Sequence, residues 1–177
     1  MLLFAGDMRK ICITFAGVVG SSKTPIATYL SGMLDLAIHN NDAIRTEVLE
    51  DYGSFVEEQY LKRRDARINA ILEKQTSFIL DASVDRQWPQ LKELLGKQGF
   101  NWFIISMDLS KDLLVRLYET KGYTESRQRL DQLYADHEAF LRNYEADIGI
   151  HIVDQDFMDR LDISYRKTSE WLRGIDK

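Results

Sequence analysis

The sequence predicts an α/β fold built on a central, mainly parallel five-stranded sheet with helices on both faces. Three observations point there. Short apolar runs alternate along the chain with amphipathic stretches of helical period. No run rich in glycine, serine or proline separates them, so residues 1–177 read as a single domain. The first apolar run ends in a glycine-containing loop, GVVGSSKT at 17–24, that opens directly into a helical pattern.

Each element has its own signal. KICITF at 10–15 is the first strand, and the helix behind the loop covers 23–36. A short strand at 36–39 leads into helical pattern over 42–74, interrupted at DYGS, where glycine and serine punctuate it. A strand at 77–80, a helix at 87–96 and a strand at 102–107 follow. The next helix begins near Ser110, the polar stretch ETKGYTES interrupts it, and a long helix covers 126–144. The strand IGIHIV at 148–153 and a helix at 157–175 complete the series. Strands joined through helices pair in parallel, and such sheets gather ligands at the carboxyl ends of their strands. That rule places the chemistry just after Phe15, His39, Leu80 and Met107.

Composition excludes several classes. With 45% apolar and 29% charged residues the balance is that of an ordinary globular domain. A net charge of −5 and a pI near 5.3 count against a nucleic-acid partner, whose phosphates demand basic surface. Cys12 is the only cysteine, which rules out an intrachain disulfide and fits a small apolar residue on a buried strand in a reduced, cytoplasmic setting. MLLFAGDMRK carries too short an apolar run for a signal peptide, and no stretch approaches a membrane span, so no membrane association is expected. Met8 is the expected natural start, since MRKICITFAG leads straight into the first strand. His39, His137 and His151 lie far apart in the sequence and suggest neither a metal site nor a triad. Trp88, Trp102 and Trp171 are expected to pack at the edges of the core.

The loop after the first strand is the most informative stretch. Backbone N–H groups at a helix N-terminus surround anionic oxygens, which makes Gly17, Val18, Val19, Gly20, Ser21, Ser22, Lys23 and Thr24 a candidate nucleotide-binding loop. In that chemistry Lys23 neutralises the β- and γ-phosphates and the Thr24 hydroxyl ligates magnesium. Two residues depart from the pattern. Ser22 stands where glycine is usual, at a cost of roughly 1 kcal/mol if the turn is strained. Pro25 is tolerated in a first helical turn but supplies no N–H there. Both predict a nucleotide held more weakly, or with its α-phosphate placed differently.

Beyond the second strand, NNDAIR sets Asp42 and Arg45 one helical turn apart, so both can face one cleft. A carboxylate there can take the proton of an attacking hydroxyl, and the arginine can anchor an anionic acceptor. By spacing alone, Asp42 or Asn41 is more readily a helix cap. FILDASVDR ends the third strand on Asp81, a place for a magnesium-organising carboxylate or for a simple turn cap. Asp85 and Arg86 follow in the same loop, and Asp85 is a candidate acceptor contact. Tyr52 and Tyr60 are further candidates for the acceptor pocket.

Taken together, GVVGSSKT, NNDAIR and FILDASVDR resemble the small P-loop kinases, the group that includes chloramphenicol phosphotransferase, zeta toxins and the kinase domain of polynucleotide 5′-kinase. The resemblance extends to about the fourth strand and the helix after it. It implies a P-loop NTPase three-layer sandwich with a helical lid at about 116–130. It also implies ATP as phosphoryl donor, Mg2+ as cofactor, Asp42 as general base and Arg45 on the acceptor. Arginines of the lid close over the transferring group in such kinases, and Arg116 and Arg127 are the candidates, with Lys121 and Arg129 beside them. Arg63 and Arg67 form a basic stripe whose helical spacing favours pairing with Glu57, Glu58 and other acids over receiving a substrate. The expected activity is transfer of the γ-phosphoryl group to a hydroxyl of a small molecule. A nucleotide-binding sensor with little turnover is the alternative, and a polynucleotide 5′-hydroxyl kinase a weaker one.

Overall fold

A computed structural model describes residues 10–175, and Met8 lies outside the described residues. Strands β1 (Ile11–Ala16), β2 (Ala37–Asn40), β3 (Phe78–Ser83), β4 (Asn101–Met107) and β5 (Ile148–Ile152) form one sheet in the order β2-β3-β1-β4-β5. Every pairing in it is parallel. The helices are α1 (Lys23–Leu34), α2 (Asn41–Tyr52), α3 (Glu57–Glu73), α4 (Trp88–Lys97), α5 (Lys111–Lys121), α6 (Thr124–Gln128), α7 (Leu130–Tyr144) and α8 (Arg160–Gly174).

Successive strand side chains point to opposite faces, and here both faces are covered. Ile11, Ile13 and Phe15 meet Ile26 and Leu30 of α1, Leu114 and Tyr118 of α5, and Leu161 of α8. Cys12 and Ala16 meet Ile71 of α3, Trp88 and Leu95 of α4, and Phe140 of α7. The result is the expected three-layer arrangement of helix, sheet and helix. Burial raises the Cys12 thiol far above its ordinary range, as befits a packing residue. Trp88 is not at the core's edge but fully inside it, and its Nε1 donates to Asp147 at 2.8 Å. Among the described residues no helix is long and apolar enough to cross a membrane.

Several boundaries differ from the sequence reading, each for a local reason. Helix α1 stops at Leu34 because Asp35 turns left-handed (φ 54°) and its N–H bonds the Ser31 carbonyl. The helical pattern over 42–74 is two helices, parted after Gly53 at φ 70°. Strand β3 runs on to Ser83, because a register shift in β1 pairs Phe15 with Ser83 and the Phe15 carbonyl accepts the Val84 N–H at 2.9 Å. The polar interruption before α7 contains the short helix α6, and α7 starts at Leu130. Before α8 the chain makes a 3-10 turn at Asp154–Asp156.

Candidate active site

The loop between β1 and α1 is shaped by positions that only glycine fills. Gly17 has φ 123°, and a Cβ there would lie 2.9 Å from both Cβ and the carbonyl oxygen of Met107. Gly20 has φ 79°, and a Cβ would lie 2.6 Å from Cε1 of Tyr118. Ser22, the N-cap of α1, also turns left-handed (φ 68°) and makes no side-chain cap bond. It therefore carries the strain a glycine would avoid, about 1 kcal/mol.

Four successive carbonyls of this loop are held by side-chain donors. Lys23 Nζ donates to the carbonyls of Gly17 (2.9 Å) and Val18 (2.7 Å) and to Ser21 Oγ (3.1 Å). The Tyr118 hydroxyl donates to the Val19 carbonyl, and Lys121 Nζ to the Gly20 carbonyl at 2.7 Å and Ser22 Oγ at 3.1 Å. Burial lowers the Lys23 ammonium to about 8, against the raising charges of Asp85 and Asp81. The first N–H groups of α1 have no intrahelical acceptor, so the loop offers donors to an anion.

Beside it, the ends of β2 and β3 join through one carboxylate. Asn40 and Asp81 are register partners. Asp81 Oδ2 accepts from the Thr24 hydroxyl at 2.9 Å and from Asn40 Nδ2 at 3.0 Å. Burial raises the Asp81 carboxyl, the Thr24 bond and the Lys23 charge oppose this, and the charge of Asp42 adds to the rise. Asn40 Oδ1 in turn accepts the Asp42 N–H at 2.6 Å. The helix cap is thus Asn40, neither Asn41 nor Asp42, and the exposed Asp42 carboxylate is left free of that duty. One turn further, Arg45 lays its guanidinium 4.3 Å over the Phe55 ring, which lies 5.6 Å from the ring of Tyr60. Tyr60 feels the charges of both Asp42 and Arg45, whereas Tyr52 sits under Arg63, 5.8 Å away.

Among the described residues no group of three or more His, Cys, Asp or Glu could hold a metal ion. Magnesium at phosphate sites takes only one or two protein oxygens and completes its shell with phosphates and water. The hard oxygens of Thr24 and Asp81, with the charge of Asp42 acting on them, fit that requirement.

The remaining sequence candidates scatter. Asp85 does not join Asp42 and Arg45; its carboxylate, 8% exposed, accepts the Gly17 N–H at 3.0 and 3.3 Å and lies 3.3 Å from His137 Nδ1. Arg116 is exposed on α5, and Arg127 pairs with Glu119 at 2.8 Å, half-exposed. Arg129 is exposed as well. Of the cations the sequence offered for a lid it is Lys121 that reaches the loop, and the charge of Arg160, at the start of α8, helps burial to lower it. Sequence reading passed over Arg160, which no motif marks. It also dispersed the histidines. In the fold His137 and His151 converge on the two oxygens of Asp108, at 2.8 and 2.5 Å.

No family model matches the chain, and no curated protein matches it in sequence. Solved structures do match. A gluconokinase from Sinorhizobium meliloti superposes with a TM-score of 0.61 at 12% identity, over 94% of this chain and 95% of that one. The chain shares its fold with solved kinase structures. A tunicamycin resistance protein from Deinococcus radiodurans gives 0.62 at 13% identity, covering 92% and 95% of the two chains. A shikimate kinase from Bacteroides thetaiotaomicron gives 0.54 at 14%, covering 93% and 98%. In this chain the loop at 17–24 lies between the central strand β1 and the first helix α1.

Proposed function

We propose that the protein is an ATP-dependent kinase that transfers the γ-phosphoryl group to a hydroxyl of a small molecule. The observation that carries this reading is the bonded series from the Thr24 hydroxyl through Asp81 and Asn40 to the Asp42 N–H, with the exposed Asp42 carboxylate near enough for its charge to act on Lys23 and Asp81. Similarity of fold to a gluconokinase and a shikimate kinase supports it.

In this reading Lys23 exchanges its loop partners for the phosphates, while Tyr118 and Lys121 keep the loop's backbone turned. Thr24 and Asp81 hold magnesium, which would neutralise charge on the phosphates. Asp42 takes the proton of the acceptor hydroxyl, and Arg45, steadied on Phe55, orients the acceptor. Arg116 and Arg127 remain the arginines assigned to the transferring group. Arg127 must then leave Glu119, an exposed pair of small energy. Lys121 is the more immediate cation, already bonded to the loop. Asp85 moves from the acceptor to the loop's own support.

The test is ADP release from magnesium-ATP across a panel of sugars, nucleosides and antibiotic alcohols. Asp42→Asn is expected to lower acceptor-dependent turnover by about 100-fold or more while leaving nucleotide affinity within about twofold. Full turnover in that variant would remove Asp42 as base. Tight nucleotide binding without turnover on any acceptor would favour a sensor, with Ser22 the first residue to revert.

A further inference from the structure

Gly17 is the hinge at which the loop leaves β1, and both its peptide groups are held by the end of β3 and the segment that follows it. Its carbonyl accepts from Ser83 Oγ at 2.9 Å as well as from Lys23, and among the described residues its N–H donates to the Asp85 carboxylate alone. A carboxylate this buried, with one backbone donor, needs a compensating cation. Lys23 is near enough to act on it, but on the function proposed above Lys23 turns to the phosphates. The cation that stays is on α7.

We propose that His137 is a positioning residue for the phosphate loop: as an imidazolium clamped between Asp85 and Asp108, it fixes the carboxylate that anchors Gly17. The ring is 4% exposed, with Nδ1 3.3 Å from Asp85 Oδ2 and Nε2 2.8 Å from Asp108 Oδ1. Nε2 is hydrogen-bonded to Asp108, and Nδ1, which has no hydrogen-bond partner among the described residues, lies within ion-pair distance of Asp85, so a carboxylate faces each nitrogen and the pair favours the charged ring. Burial alone would lower its basicity, but the Asp108 bond and the charges of Asp85 and Asp108 outweigh that and hold it at about 9. The outer carboxylate is itself fixed, since Asp108 accepts from Ser106 Oγ at 2.5 Å and faces His151 Nδ1 at 2.5 Å. Glu145 closes the series 3.2 Å from His151 Nε2, the sequence neighbours of Asp85 and His137, Arg86 and Asp136, pair with each other at 3.3 Å, and Phe140 stacks on the His137 ring. The strand order brings the residues after β3 and β4 to either side of β1, so this relay of charges runs from the loop's hinge to the edge strand β5.

The proposal rests on the loop being a nucleotide site, and equilibrium titration of the full chain with a magnesium-bound, non-hydrolysable ATP analogue separates the two. His137→Gln is expected to weaken binding by about tenfold, the loss of a charge-assisted contact. In an Asp85→Asn background, where the amide oxygen accepts the Gly17 N–H without needing a cation, the same change is expected to cost less than about twofold. A wild-type chain that binds no nucleotide would overturn the loop reading and the proposal with it. Wild-type binding with an indifferent His137→Gln, or losses that simply multiply in the double variant, would overturn the proposal alone. Should the variants fail to fold, nitrogen-15 resonances of the wild-type His137 ring decide: protonation at both nitrogens at about pH 7.5 is expected, and a neutral single tautomer there would refute the clamp.

Discussion

Gly17 and Ser22 both take left-handed backbone, at φ 123° and 68°, yet only the first is irreplaceable. At Gly17 a side chain would collide with the backbone of β4, which cannot retreat without opening the sheet. Gly17→Ala is expected to lose at least about 2 kcal/mol in urea unfolding. Ser22→Gly should stay within about 1 kcal/mol of the wild type, because relieved strain is offset by a freer unfolded chain. A large loss in Ser22→Gly would show that the hydroxyl reached by Lys121 matters more than the backbone. Single residues also show where sequence reading succeeds. Lys23 and Thr24 open α1 and Asp81 lies in the last half of β3, elements whose places periodicity reveals, and the fold brings the three together. Asp85 was assigned to the acceptor because a loop residue's direction depends on a register shift, and no local pattern encodes one.

At the scale of elements, the start of α2 illustrates how a cap and a site share one side chain. Asn40 ends β2, caps α2 through the Asp42 N–H and donates to Asp81. Asn40→Ala is expected to cost about 1 kcal/mol of stability from the lost cap, checked by denaturant titration, and to lower turnover through the freed Asp81. Asn40→Asp should keep the cap but set a second carboxylate against Asp81, so its turnover should fall while its stability recovers. The run NNDA holds three good capping residues, which is why spacing alone misplaced the cap. The basic stripe of α3 was read more accurately. Arg63 pairs with Asp51 at 2.6 Å and Arg67 with Glu47 at 2.5 Å, so the acids are those of α2, across the helix pair. Helical periodicity identified the face, and only the fold could supply the partners.

For the molecule as a whole, alternation of apolar strand and helix was enough to give five parallel strands and three layers, since both sheet faces are buried and each strand is short. The cluster of Asp85, Asp108, His137 and His151 was invisible because its members are isolated in sequence and meet only through the strand order. That cluster gives stability a definite pH dependence. The His137 proton is held more tightly in the fold, at about 9 against 6.5 ordinarily, so its contribution is complete below about 6.5 and is lost as pH rises through about 9. Lys23 runs the other way, its lowered value making burial costly at and below about 8 and less so above. The difference in unfolding free energy between wild type and His137→Gln cancels Lys23, and it should shrink by on the order of 3 kcal/mol across that window. A difference that is flat with pH would mean the ring is neutral in the fold. The carbonyls of 17–20 carry a last consequence. Because Lys23 is already bonded to the loop, a triphosphate bound as proposed would swap partners with it instead of gaining a new one, and the enthalpy of binding should be modest. Recognition there would be a trade of contacts, governed by charge and by the speed at which one lysine lets go.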